Sequence, residues 1–156
     1  MISATHLHAM AIHFPIALLC IAFLSAVISL FFRRDFFSQA AFYLLVLGAL
    51  GSIAAYLSGN AAGEGIEEGA LGKAVELHEQ AATISLWLTI LTAAFYLFLF
   101  IRKNTKTWAK FLGILLFAGT VVSIARTGYL GGQLVYKHGA GIELSVGNLS
   151  TPADDK

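Results

Sequence analysis

AATISLWLTILTAAFYLFLFI, residues 81–101, runs for twenty-one residues without a charge. A helix crossing the hydrocarbon of a bilayer needs about 20 such residues, so this stretch reads as one membrane span. Three more runs repeat the pattern. Ala9 to Phe32 carries no Asp, Glu, Lys or Arg, and neither does Phe36 to Gly63; Phe111 to Tyr136 is interrupted only by Arg126. Of the 156 residues 58% are hydrophobic and 12% charged, with a mean hydropathy of +0.77, too few charges to coat a soluble domain of this length. The expected fold is all-α, an integral membrane four-helix bundle forming one domain over residues 1–156, with spans at about 9–32, 36–60, 78–101 and 109–136. Its first partner is the lipid bilayer.

Charge sets the orientation. Arg33 and Arg34 lie in the first loop, and Arg102, Lys103, Lys106 and Lys110 in the third, six of the ten basic residues. Loops rich in Lys and Arg stay in the cytoplasm. The opposite side holds eight of the nine acids: Glu64, Glu67, Glu68, Glu76, Glu79, Glu143, Asp154 and Asp155. Both termini are therefore expected outside, in the periplasm of a bacterial inner membrane. No Lys or Arg precedes the first apolar run, which is also too long for a signal core, so the first helix is expected to be retained.

Several function classes fall away. A net charge of +1 makes no electrostatic case for nucleic acid. One cysteine, Cys20, forms no internal disulfide and reads as a small core or lipid-facing residue. No His-Glu-x-x-His is present, and neither a phosphate-binding glycine loop nor a nucleophile elbow occurs.

What remains is a set of five histidines, His6, His8, His13, His78 and His138, all at the outer ends of spans. Imidazole binds haem iron, copper and zinc, and ionisable groups gathered at one depth of an apolar bundle suggest a site. Axial haem ligands approach the iron from opposite faces and so come from different helices. His13, His78 and His138 lie on three helices. His13 with His78 is the first expected axial pair, because first and third helices of an up-down bundle can face each other diagonally. His138 is the alternate ligand, or a contact to a propionate or quinone. The expectation is a b-type haem serving electron transfer.

Copper is the competing metal. His6, His8 and Met10 supply imidazoles and a thioether, a soft set. On one helix, however, His8 and His13 point about 140° apart, so such a site needs His78 or His138 as well. A cofactor-free membrane interaction subunit, with interfacial histidines, is the third reading.

Local features leave alternatives open. Pro15 either opens the first helix, with His13 at its cap, or kinks a helix that starts near Thr5 and frees the carbonyl of Ala11. Arg126 lies some three turns inside if the last helix reaches Lys137, and then needs a propionate, a quinone oxygen or an outer-loop acid. If the helix breaks at Gly131-Gly132, Arg126 snorkels to the surface. Small residues form stripes, Gly48, Ser52, Ala55, Gly59 and Ala62 in the second span and Gly113, Thr120, Ser123, Thr127 and Gly131 in the fourth. They suit a tight helix seam, a flat macrocycle against the backbone, or each in different turns. Tyr129, Tyr136 and Trp108 are expected at the membrane interfaces.

His-Phe-Pro-Ile-Ala-Leu-Leu at 13–19 and Gly-Gly-Gln-Leu-Val-Tyr-Lys-His-Gly at 131–139, with His78 and the stretch from Gly59 to Gly65, resemble a bacterial family of small membrane proteins. It is catalogued as a domain of unknown function, series number twenty-two thirty-one. The resemblance spans nearly the whole chain and implies four transmembrane helices with motif histidines at His13, His78 and His138. It also implies company with cytochrome c or Rieske-type modules, hence redox work.

Overall fold

The structure, a computed structural model, describes residues 3–32, 34–66, 68–103 and 106–141. Arg33, Glu67, Glu143, Asp154 and Asp155, used above for orientation, lie outside the described residues. Five helices follow one another: α1 (Ala4–Ala11), α2 (His13–Phe31), α3 (Asp35–Gly63), α4 (Gly69–Ile101) and α5 (Thr107–His138). Taken as one unit, α1 and α2 form the first of four stretches long and apolar enough to cross a membrane. The 33 residues of α4 make a rod of about 50 Å, well beyond the roughly 30 Å of hydrocarbon. Its ends therefore project or the bundle tilts.

The first span starts at Ala4, earlier than the expected residue 9. Ser3 caps it, its hydroxyl accepting from the His6 N–H at 3.3 Å. The helix is interrupted for one residue at Ile12, which keeps right-handed helical dihedrals, because Pro15 has no N–H to give the Ala11 carbonyl. Of the two accounts of Pro15, the interruption of a longer helix is the one observed. The buried Pro15 ring settles against Gly51, where an added Cβ would come within 3.1 Å. Beyond the break α1 leans on α3.

Neighbours in sequence are neighbours in space. α2 packs on α3, α3 on α4, α4 on α5, and α5 closes the ring on α2. α2 and α4 thus occupy opposite corners, as do α3 and α5, and no backbone approach within 8 Å joins either diagonal pair. Leu19, Ala22 and Ala26 of α2, Ala41 and Leu45 of α3 and Phe117 of α5 make the apolar core. Phe117 is wedged edge-on between Phe23 and Tyr96, at 5.6 and 5.8 Å. Large apolar side chains cover the outside of all the spans, as lipid requires. Cys20 is exposed among them.

Hydroxyls hold α4 to α5. Ser85 Oγ lies 2.7 Å from Ser123 Oγ and 2.8 Å from Thr127 Oγ1, and Thr92 meets Thr120 at 2.9 Å. Such bonds join helices where lipid offers no competing water. Ser85→Ala removes two of them, and a loss of about 0.5–1.5 kcal/mol is expected when unfolding is titrated in mixed micelles. No change in stability would show that the seam rests on packing alone.

Gly131 and Gly132 do not end α5, which continues to His138 and stops at Gly139, left-handed with φ of 67°. Arg126 therefore lies three turns from the helix end. Tyr129, Tyr136 and Trp108 are all exposed.

Candidate functional site

The bundle end that carries the histidines brings two of them together. His8 comes from the α1 arm of the first span and His78 from α4, the diagonal partner in the third. Their ring centroids are 6.5 Å apart and their planes cross at 78°. Both side chains are half-buried.

Each ring is held through its Nδ1. The His78 Nδ1–H donates to the Thr127 carbonyl of α5 at 3.1 Å. His8 Nδ1 lies 3.0 Å from Ser58 Oγ of α3. The Ser58 hydroxyl also reaches the Ala55 carbonyl at 2.9 Å; with its proton given to that carbonyl, its oxygen accepts from His8 Nδ1–H. Neutral imidazole with a proton on Nδ1 carries its lone pair on Nε2. Neither Nε2 forms a hydrogen bond, and neither is sealed from open space. Two metal-ready lone pairs thus sit at the mouth of the bundle, with their rings oriented by bonds to the opposite nitrogen, as metal-binding histidines usually are.

Glycines make room for the rings. A Cβ on Gly59 would lie 3.0 Å from His8 Cε1, and one on Gly131 would lie 3.1 Å from His78 Cε1. The small-residue stripes therefore do two jobs in different turns. Gly48 and Gly113, nearer the other end, admit Leu19 and the rings of Phe95 and Tyr96; Gly59 and Gly131 admit imidazoles.

The remaining candidates stand apart from this pair. His13 is exposed, its Nδ1–H given to the Ala9 carbonyl at 2.7 Å. His138 is exposed on the last turn of α5. His6 is exposed and turned back to Ser3 at 3.5 Å, and Met10 is 68% exposed. Arg126 is exposed on α5, one residue before Thr127. Among the described residues, no three His, Cys, Asp or Glu side chains gather into a group fit to hold a metal ion. Of the expected pair, His78 has His8 beside it, while His13 of the same first span stands apart. Ser58 carried no expectation at all. For His8 the available signal was Ser3, a capping residue that starts the helix before it.

A cavity of about 640 Å³ opens beside the site between α3 and α4, lined among others by Tyr56, Asn60, Glu64, Glu76 and Glu79. Tyr56 and Thr83 share a hydrogen bond of 3.2 Å in it.

Fold and site together define a four-helix membrane protein with a paired-histidine centre at one end of the bundle. Residues 4–144 match the model of a family described as predicted membrane protein (DUF2231), and the chain belongs to that family. No curated protein and no solved structure matches it.

Proposed function

We propose that this protein is a membrane cytochrome of the b type, with His8 and His78 as the axial ligands of one haem. One observation carries the reading: imidazoles from α1 and α4 brought together at 6.5 Å between ring centroids, with no third His, Cys, Asp or Glu grouped with them among the described residues. Two protein ligands suffice for a metal that brings its remaining donors with it, as haem iron does. A copper ion would look for more protein donors, and His6 and Met10 do not supply them. The spacing agrees. Ring centroids 6.5 Å apart would let both imidazoles serve one metal centre.

Haem at this position would supply reversible one-electron chemistry. The chain holds the rings in the correct tautomer through Ser58 and the Thr127 carbonyl, and keeps helix backbones close through Gly59 and Gly131. Ser58→Ala is expected to weaken haem binding about 10- to 100-fold while leaving the axial pair in place. Titration of haem into the purified apoprotein measures this, and an unchanged affinity would deny Ser58 its orienting role.

The described basic residues Arg34, Arg102, Lys103 and Lys110 flank the loops at the other end of the bundle. On the positive-inside rule that end faces the cytoplasm, and the histidine end faces the periplasm of a bacterial inner membrane. Electrons would pass between a quinone or membrane partner and a periplasmic cytochrome c or Rieske-type protein. The test is a reduced-minus-oxidised spectrum of protein purified from haem-replete cells. A b-type absorption band supports the reading. Protein that neither carries haem nor takes it up on titration overturns it, and bound copper in that preparation would favour the copper reading.

A further inference from the structure

The outward face of α5 carries a charge that the bundle does not answer. Arg126 is exposed, yet it lies eleven residues from Lys137, about 16 Å along the helix axis. An exposed cation on the outside of a span is costly wherever hydrocarbon reaches it without a counter-charge. Among the described residues no carboxylate lies within ion-pair distance of Arg126 or Lys137, and α5 itself contains no acid.

The surroundings of Arg126 form a track. At 100° per residue, Gln133 and Lys137 fall within about 20° of Arg126 on the helix surface, so three hydrogen-bond donors line up from the helix end inwards. Tyr129, 66% exposed, stands one turn to the side. In the other direction Gly119 and Leu115 continue the same line, with Val122 beside it. Leu115 and Val122 are 70% and 69% exposed, and nothing lies within 4 Å of a Cβ built on Gly119. The track is polar and cationic towards one end, apolar and open towards the middle.

We infer that this face of α5 binds one anionic phospholipid, its headgroup phosphate held by Arg126 and Lys137 and an acyl chain lying over Gly119 and Leu115. A guanidinium pairs with phosphate oxygens through two parallel N–H bonds, and the phosphate drawn inwards supplies the counter-charge that Arg126 lacks. Two cations without an acid on the helix favour a net negative headgroup over a zwitterionic one. A second copy of the chain on this face would bring Arg126 near its own like charge.

The full-length protein in phosphatidylcholine vesicles, probed with spin-labelled phosphatidylglycerol or spin-labelled phosphatidylcholine, tests the assignment. Phosphatidylglycerol should be immobilised preferentially, and Arg126→Gln should reduce that preference about fivefold, the worth of one cation near an anionic lipid. Arg126→Lys should retain most of it. Equal immobilisation of the two lipids by the unmodified protein overturns the proposal, as does a preference that Arg126→Gln leaves unchanged. A crosslinker at position 126 that captures a co-purified polypeptide instead of lipid would also overturn it.

Discussion

Replacing either His8 or His78 with alanine should abolish stable haem binding, whereas His13→Ala and His138→Ala should leave it intact. The asymmetry comes from geometry. His8 and His78 approach each other across the bundle diagonal with Nε2 free, while His13 and His138 are exposed and stand outside the pair. On the proposed ligation, loss of one of the two ligands would leave haem held by a single imidazole and by packing, and the remaining ligand could not enforce a six-coordinate, low-spin iron. Haem content per chain after purification, compared across the four variants, measures the effect. If His13→Ala loses haem and His8→Ala keeps it, the axial pair is the one that the sequence alone suggested. Intact helical circular dichroism in each variant separates loss of ligand from loss of fold.

Side chains at Gly59 and Gly131 should be almost as damaging. Both glycines already touch the imidazole they support, and a Cβ at either would sit 3.0–3.1 Å from a ring carbon. Alanine demands a shift of a few tenths of an ångström, which at Gly59 the short α1 can yield and at Gly131 the His78 side chain must supply. Leucine cannot be accommodated without expelling the ring. Gly131→Leu and Gly59→Leu should therefore lower haem affinity more than tenfold, with alanine intermediate. Gly128→Leu is the control, because nothing lies within 4 Å of its Cβ position and glycine is a poor helix former that leucine improves. Equal loss from all three leucine variants would assign the effect to helix packing at large.

Much of the architecture was legible because lipid simplifies the problem. Uncharged runs of sufficient length can hardly be anything but spans, and short loops between four of them leave an up-down bundle as the expected arrangement. The diagonal pairing of the first and third spans followed from that connectivity alone. The site was only half legible. His78 was found because it stands alone on its helix, but the first span offers three histidines, and choosing among them depends on where the helix breaks. After the one-residue interruption at Ile12 α1 leans on α3, and that packing sets His8 rather than His13 beside His78. No periodicity reports a lean of that kind. Ser58 was hidden for a different reason: its role depends on a contact fifty residues away in sequence. Arg126 was located in depth by counting residues, but which way it faces is a property of the packed bundle.

The claim that His8 and His78 together ligate one haem is tested most directly by electron paramagnetic resonance of the oxidised, purified protein. Two neutral imidazoles with planes crossed at 78° predict a low-spin ferric iron with a highly anisotropic signal, lost in both His8→Ala and His78→Ala. A high-spin signal in the unmodified protein, or no haem iron in protein saturated with haem, would contradict it.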